Sequence, residues 1–380
     1  MNKNQDFLYK TLEDKTIVWF KSTNKYLVLE NTTADILKRL HKRIAVHEIA
    51  TTLSKKLDVP LDKTTDFILD FQKQIYKPST ISEKEISNEY KDVKKPNAFE
   101  FTKFYKVNNI VFKVDFYSEY EVYLVHPKFA HLEIETVVDY QHEFIVFTNN
   151  DFTFLLVNNA FIGAWNTKDI HFFQGKFSME FTQKIHQKKE KEWMGVFHAS
   201  AVSNQKKAIM FLGDSGYGKS TSLAILQANG FTCLADDFVP VDIEKRKVYS
   251  FPASISIKKN SLQTLLPIYP ELENSAEYHF KRLNKVVRYL EPNNNDFFAH
   301  LPCKDLVFIR YQKDSEIIFT KISKIDAFQK LIPDSWISPI QENAEIFLEW
   351  FDSLHCYELI YSDNSKMIQK VAKIFNNDDV

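Results

Sequence analysis

The sequence is poor in cysteine and has almost no net charge. It contains three cysteines in 380 residues, and 49 Lys and Arg residues are balanced by 50 Asp and Glu residues. Cys233, Cys303 and Cys356 are scattered, so their spacing fits neither a disulfide framework nor a zinc site, and we expect buried free thiols in a reducing cytoplasm. The charge balance argues against a general binder of nucleic acids or membrane surfaces.

Long hydrophobic runs are also missing. The first residues, Met1–Asp6, lack the apolar core of a signal peptide, and no later run approaches the length of a membrane span. Hydrophobic residues nevertheless make up 44% of the chain, with 33 phenylalanines, which is enough to bury a sizeable core. The sequence therefore predicts a cytoplasmic protein without a membrane partner, and its length predicts two or three domains.

Glycine is scarce, and its distribution marks one segment. Three of the seven glycines lie within Gly213–Gly218, and Gly213–Ser220 fits the phosphate-binding pattern G-x-x-x-x-G-K-[ST]. The preceding apolar run, Ala208–Leu212, predicts a strand that is buried on both faces. Because glycine permits torsions closed to other residues, the loop amides can turn inward, and the positive end of the following helix completes an anion cradle.

This segment predicts a nucleotide site. Lys219 would carry a positive charge to the β- and γ-phosphates, and Ser220 would offer its hydroxyl to Mg²⁺. The alternative is a structural glycine turn between a core strand and a helix, and the Lys-Ser pair favours the nucleotide. The expected nucleotide contacts are the loop and the start of the helix, namely Gly213, Asp214, Ser215, Gly216, Tyr217, Gly218, Lys219, Ser220 and Thr221.

An acidic pair follows the next apolar run. Phe231–Ala235 predicts a strand that places Asp236 and Asp237 at its C-terminal end, where ligands gather in parallel α/β sheets. Adjacent residues on a strand point to opposite sides, so one aspartate can reach a metal beside Ser220 while the other takes the proton of an attacking hydroxyl. The alternative for the pair by itself is a strand-end turn or a helix cap.

The segments Gly213–Ser220 and Leu234–Asp237 resemble the catalytic domain of HPr kinase/phosphorylase and its relatives. His198 precedes the first loop glycine by 15 residues and Asp236 follows Lys219 by 17, as in that family. The resemblance covers about residues 197–241. It implies an α/β P-loop nucleotide-binding domain of the HPr kinase/PEP carboxykinase-like type.

The same resemblance implies an activity and its residues. It implies a Mg²⁺-dependent transfer of a nucleotide phosphate, with ATP as the expected donor, to a serine-type hydroxyl. It assigns Asp236 as the base, Asp237 as a magnesium ligand and His198 as a helper on the phosphate side. For His198 alone, the alternative is a core histidine at a strand end.

The sequence departs from the HPr kinases at several points. Thr221 stands where they have an acidic residue, Ala199 stands where they have glycine, and their downstream glycine-rich segment has no clear counterpart. We therefore do not expect HPr as the substrate or the reverse phosphorylase reaction. The chain instead resembles diverged HPr-kinase-like proteins, some of which accompany peptide-modification systems. In such relatives basic residues face the phosphates, and the candidates here, for which a solvated strand face is the alternative, are Lys258, Lys285 and Arg288.

The N-terminal segment predicts a small winged-helix-like unit. Two β-rich runs, Thr16–Phe20 and Tyr26–Glu30, precede three short helices. This order resembles the PqqD-like family over about residues 12–78. The resemblance implies that a leader peptide binds by adding a strand to the edge of the hairpin. A helical accessory domain and a DNA-binding winged helix are the alternatives.

These features predict three regions. We expect the PqqD-like domain at residues 1–80, a polar linker at 81–97 and the kinase domain at 98–380, with a β-rich part at 98–180 and a nucleotide-binding and catalytic part at 181–380. The β-rich part includes a predicted strand at Tyr120–Val125. Its histidines lack the spacing of a metal cluster.

The combined prediction is an α/β kinase that phosphorylates a hydroxyl of a peptide, a protein or a small molecule. A nucleotide-binding regulator and a peptide-binding adaptor are the alternatives. The sequence leaves the donor open among ATP, ADP, GTP and pyrophosphate. It also leaves the number of subunits open, a homo-oligomer included.

Overall fold

The computed structural model describes residues 6–81, 93–136, 139–280 and 285–377. Its strands are β1 (Phe7–Leu12), β2 (Lys15–Phe20), β3 (Lys25–Glu30), β4 (Phe101–Val107), β5 (Ile110–Phe116), β6 (Glu133–Ile134), β7 (His142–Asn149), β8 (Phe152–Val157), β9 (Ala160–Asn166), β10 (Trp193–Phe197), β11 (Ser200–Ser203), β12 (Ala208–Leu212), β13 (Thr232–Asp236), β14 (Val239–Asp242), β15 (Lys247–Tyr249), β16 (Ile255–Lys258), β17 (Tyr278–Phe280), β18 (Lys285–Leu290), β19 (His300–Tyr311), β20 (Ile318–Lys321), β21 (Ser335–Ile337) and β22 (His355–Tyr361).

The α-helices are α1 (Asn31–His41), α2 (Val46–Leu57), α3 (Leu61–Phe71), α4 (Lys77–Thr80), α5 (Glu119–Phe129), α6 (Ile170–His186), α7 (Lys219–Ala228), α8 (Leu262–Leu265), α9 (Lys324–Leu331), α10 (Gln341–Ser353) and α11 (Asn364–Asn376). Among the described residues, no helix combines the length and the apolar composition that a membrane span requires. The chain forms two compact units, which are described separately.

The first unit comprises residues 1–85, 323–333 and 337–353. Strands β1, β2 and β3 form an antiparallel sheet with β2 in the centre, and α1, α2 and α3 pack on it around an apolar core. The predicted hairpin is thus β2–β3, and β1 is an additional strand that the sequence pattern did not predict.

Two late helices belong to this first unit. The ring of Tyr26 on β3 packs against Phe328 of α9 and Phe347 of α10, with ring centroids 5.9 and 5.5 Å apart. Lys10 on β1 forms an ion pair of 2.7 Å with Asp352. The unit therefore extends beyond the predicted domain at residues 1–80 and includes helices that had been assigned to the kinase domain. Of the predicted linker at 81–97, residues 82–92 lie outside the described residues.

The second unit comprises residues 86–322, 334–336 and 354–380, and its first layer is a six-stranded sheet in the order β6-β4-β5-β7-β8-β9. Phe112 and Phe144 of this sheet pack against each other and against Phe181 of α6, in tilted and edge-on ring contacts. The predicted strand at Tyr120–Val125 is wrong, because these residues lie in helix α5.

The reason for that difference is local. The Ser118 hydroxyl accepts a hydrogen bond from the Tyr120 amide, and the Glu121 carboxylate accepts one of 2.8 Å from the Ser118 amide. This capping box satisfies amides that a helix start leaves unpaired, and it outweighs the β-propensity of the valine and tyrosine residues that follow.

The second layer is a ten-stranded sheet that positions the site. Its main path is β13-β11-β12-β19-β15-β14-β10-β21, with β22 beside β19 and β20 beside β22. Strand β12 runs parallel to β19, whereas β11 lies antiparallel between β12 and β13. Consequently β12 and β13 run in the same direction, and their C-terminal ends meet at one edge of the sheet.

Candidate functional site

The predicted phosphate-binding loop connects β12 to α7, and its strand, turn and helix lie where the sequence predicts them. Gly213, Gly216 and Gly218 have φ values of 140°, 98° and 98°. Residues other than glycine rarely adopt backbone conformations with such positive φ values. A Cβ atom on Gly213 would lie 2.8 Å from the carbonyl oxygen of Ile309. The Lys219 ammonium folds back and donates a hydrogen bond to the Gly213 carbonyl. The lysine side chain therefore lies over the loop.

Tyr217 of the loop and Thr221 in the first turn of α7 contact neighbouring segments of the unit. The Tyr217 carbonyl accepts a hydrogen bond of 2.9 Å from the Tyr311 amide, and the Arg310 guanidinium lies 5.1 Å from the centre of the Tyr217 ring. The Thr221 hydroxyl donates a 2.7 Å hydrogen bond to Ser261. These contacts fix the loop to the end of β19 and the start of α7 to the segment after β16.

Asp236 ends β13 and lies at the centre of a hydrogen-bond network. Its Oδ1 accepts bonds from the Ser200 hydroxyl at 2.6 Å and from the Ser220 hydroxyl at 3.1 Å. Its Oδ2 accepts a bond of 3.0 Å from the Ser256 amide. Ser200 pairs with both Phe211 and Asp236, because the first residue of β11 lies between the ends of the two strands that carry the loop and the aspartate.

Burial dominates the electrostatics of Asp236. The residue is 2% exposed, and this burial raises the pKa of its carboxyl group, as does the neighbouring Asp237 carboxylate. The hydrogen bonds from Ser200, Ser256 and Ser220 oppose the rise without cancelling it. Asp236 therefore binds a proton more readily than an ordinary aspartate.

Asp237 has the opposite character. Its φ of 68° takes it out of the extended strand conformation, and its Oδ1 lies 3.0 Å from His198 Nδ1. Burial alone would raise the pKa of its carboxyl group, but the Lys285 ammonium, 3.7 Å away, and His198 hold that pKa well below its usual range. Asp237 therefore stays ionised beside Asp236.

The three predicted basic residues lie on a small antiparallel sheet in the order β16-β18-β17, and the face of the sheet on which each lies determines whether it reaches the site. Lys258 donates a hydrogen bond to the Ser215 hydroxyl in the loop, and Lys285 lies beside Asp237. Arg288 is three residues from Lys285 and so lies on the other face of β18. Its guanidinium donates to the carbonyl oxygens of Leu272 and Glu273. The structure thus brings two of the three predicted basic residues to the site and excludes Arg288.

Three residues of the site were missed by the sequence analysis. Ser200 and Ser256 bind Asp236, while burial lowers the pKa of the Lys128 ammonium and the nearby Asp237 and Asp236 carboxylates only partly oppose this. Ser200 follows His198 by two residues and could have been considered on that ground. Lys128 had no such signal, because the segment before it, Tyr120–Val125, was predicted as a strand and its position depends on α5.

The oxygen atoms at this edge fit a magnesium ion. The described residues contain no group of three or more His, Cys, Asp or Glu side chains arranged for a metal. Mg²⁺, however, binds through one or two carboxylates together with substrate phosphates. The Ser220 hydroxyl and the Asp237 carboxylate would be the protein ligands of such a site.

The chain matches none of the protein-family models against which it was scanned, and a search of the curated proteins likewise finds no match. The resemblances to HPr kinases and to PqqD-like domains therefore stay predictions from the residues.

Proposed function

We propose that the chain is a Mg²⁺-dependent kinase that transfers a nucleotide phosphate to a serine-type hydroxyl. The observation that supports this most strongly is the 3.1 Å hydrogen bond between the Ser220 hydroxyl and the Asp236 carboxylate. It joins the end of the phosphate-binding loop to the acidic pair. Phosphoryl transfer needs phosphate binding, a metal and a proton acceptor at one point, and the site has groups for all three.

The phosphate side is formed by the loop. The backbone amides of the loop, the Lys219 ammonium and Lys258, which contacts Ser215, would bind the phosphates of the donor. We propose ATP as this donor. ADP, GTP and pyrophosphate are the alternative donors that the experiment below compares with it. When bound, Mg²⁺ would neutralise negative charge on the phosphates, and Ser220 and Asp237 would hold it.

The acceptor side is formed by the acidic pair. The hydroxyl oxygen of the acceptor forms a bond to the transferred phosphorus as the bond from phosphorus to the nucleotide oxygen breaks, and the hydroxyl proton passes to Asp236. The raised pKa of Asp236 suits a proton acceptor, whereas the ionised Asp237 suits a metal ligand. His198 orients Asp237 through their 3.0 Å contact.

The test is transfer of labelled phosphate. The full-length chain is incubated with Mg²⁺, each of the four labelled donors and a panel of serine-containing peptides and small hydroxyl compounds. We expect labelling of at least one acceptor, and we expect Lys219→Ala and Asp236→Asn to abolish it. Lys206→Ala, which changes an exposed lysine just before β12, is the matched control. Full activity in both folded site variants would overturn the assignment.

The same experiment separates the kinase from a nucleotide-binding regulator. A regulator binds nucleotide in a Lys219-dependent manner but labels no acceptor. Nucleotide binding is therefore measured on the same samples, by fluorescence of a labelled nucleotide analogue.

For the first unit we propose binding of a leader peptide, within a peptide-modification system. The support is the order of its sheet: β1 covers one edge of the predicted hairpin, which leaves β3 as the other edge strand. An extended peptide can add there as a further strand. Peptides encoded beside the gene should bind the full-length chain and slow amide exchange in β3. Binding without such protection would contradict this mode.

A further inference from the structure

Strand β19 extends past the end of β12 and runs beside the predicted phosphate-binding loop. The last pair between the two strands joins Leu212 to Phe308, and β19 continues to Tyr311. The Tyr311 amide donates a 2.9 Å hydrogen bond to the Tyr217 carbonyl in the loop. The last residues of β19 therefore form one flank of the loop, at the edge where the C-terminal ends of parallel strands gather ligands.

The acidic pair lies on the opposite flank of the loop. In the sheet order β13-β11-β12-β19, Asp236 ends β13 on one side of the loop strand, and β19 lies on the other side. The small sheet and the segment after it cover a further side, because Lys258 contacts Ser215 and Thr221 contacts Ser261. A donor whose reacting phosphate lies at Asp236 would therefore direct the rest of its structure towards β19.

Tyr311 presents an exposed aromatic ring on that flank. Its side chain is 48% exposed, although the ring packs edge-on against Tyr361, with ring centroids 5.6 Å apart. The Tyr361 hydroxyl in turn lies 2.7 Å from the Ser222 hydroxyl of α7. A Cβ atom on Gly218 would lie 3.4 Å from the Tyr311 Cβ, so the ring begins next to the last glycine of the loop. An aromatic ring that is held in place and open to solvent is suited to stack on a nucleobase.

Arg310 presents hydrogen-bond donors next to this ring. Its exposed guanidinium lies 5.1 Å from the centre of the Tyr217 ring. Within the part of the chain that the structure describes, the Arg310 side chain forms no hydrogen bond and no ion pair. A guanidinium that stacks on a ring keeps its N–H groups free to donate. Tyr217 therefore orients Arg310 and leaves its donors available to a ligand.

We propose that Tyr311 and Arg310 bind the base of the phosphate donor. The Tyr311 ring stacks on the base, and the Arg310 guanidinium donates hydrogen bonds to acceptor atoms of the base. This inference rests on the proposed kinase function. It narrows the donor to a nucleoside polyphosphate and makes inorganic pyrophosphate a poor donor.

The test compares two ligands that share a triphosphate. Isothermal titration calorimetry with the full-length chain and Mg²⁺ measures the affinity for a non-hydrolysable ATP analogue and for inorganic tripolyphosphate, which lacks the base. We expect the wild type to bind the analogue at least about tenfold more tightly. Tyr311→Ala and Arg310→Ala should each weaken binding of the analogue by about tenfold and leave the affinity for tripolyphosphate within about twofold of the wild type.

Two further variants serve as controls. Tyr311→Phe keeps the aromatic ring, so it should bind the analogue as the wild type does. Tyr117→Ala removes a tyrosine of similar exposure, 45%, that ends no strand beside the loop, and it should leave both affinities unchanged. Thermal unfolding of each variant shows that it is folded.

Three results would overturn the proposal. They are a wild type that binds the analogue no more tightly than tripolyphosphate, an equal loss of both ligands in Tyr311→Ala, and unchanged binding of the analogue in folded Tyr311→Ala and Arg310→Ala. The second result would mean that the ring supports the loop instead of contacting a base.

The outcome is separable from that of the kinase proposal. Lys219→Ala should weaken both ligands, because the loop lysine contacts phosphate in each of them. If both ligands bind in a Lys219-dependent manner without a preference for the analogue, only the base subsite fails. If neither ligand binds the wild type, the kinase proposal itself fails.

Discussion

The Ser200 hydroxyl donates a 2.6 Å hydrogen bond to the Asp236 carboxylate, and both residues are buried. This contact joins the first residue of β11 to the last residue of β13 at the edge of the sheet where the loop begins. It stabilises the ionised form of Asp236, and so it limits how far burial raises the pKa of that carboxyl group.

We predict that Ser200→Ala moves the acid limb of the pH–rate profile to higher pH. Loss of the hydrogen bond raises the pKa of Asp236 further, so a larger fraction of the base is protonated at a given acidic pH, while the plateau rate at higher pH changes less. Phosphate transfer measured across pH checks this. Ser203→Ala, at the other end of β11, is the control, and an unmoved limb in Ser200→Ala would argue against Asp236 as the base.

Substitution of each aspartate should have a different effect on the Mg²⁺ concentration that nucleotide binding requires. Since Asp237 is assigned to the metal, Asp237→Asn should raise the Mg²⁺ concentration required for half-maximal nucleotide binding by about tenfold or more. Asp236→Asn should leave that concentration nearly unchanged while it abolishes transfer. Titration of nucleotide binding with Mg²⁺ measures both, and the reverse pattern would exchange the two roles.

The ion pair between Lys285 and Asp237 should contribute a pH-dependent stability. The folded-state pKa of Asp237 is lowered, so its contribution is present above the unfolded-state pKa of about 4 and is lost as pH falls through the folded value. Lys285→Met should therefore lower stability by about 0.5 kcal/mol at neutral pH, because the pair is partly exposed. Thermal unfolding at several pH values should show this difference shrink towards strongly acidic pH, and a constant difference would contradict it.

Replacement of glycine by alanine should have opposite effects on stability in the loop and in helix α6. Gly213→Ala should destabilise the second unit by about 2 kcal/mol or more, because the residue has a φ of 140° and its new methyl group would meet the Ile309 carbonyl. Gly175→Ala, on the exposed side of α6 with nothing within 4 Å, should instead stabilise the helix by about 0.5–1 kcal/mol. Thermal unfolding checks both, and equal effects of the two substitutions would contradict the strained loop.

Much of the candidate site was predictable because its parts are local in the sequence. The strand, the glycine turn and the helix of the loop are consecutive, and the acidic pair directly follows its own apolar strand. The parts that escaped prediction depend on contacts between distant residues. Tyr120–Val125 were predicted as a strand from their β-propensity, whereas the capping box at Ser118 starts helix α5 there, so the position of Lys128 at the end of α5 was not predicted either.

The sequence by itself was sufficient to identify the loop glycines, the Lys219–Ser220 pair and the two aspartates as site residues. Local torsional freedom and the hydrophobic pattern depend only on neighbouring residues. Only the tertiary structure decided that β11 lies between the loop strand and the aspartate strand, that Lys285 faces the site while Arg288 faces away, and that α9 and α10 pack in the first unit. The physical reason is that strand pairing and register, and the packing of an apolar helix face, depend on partners far away in the chain.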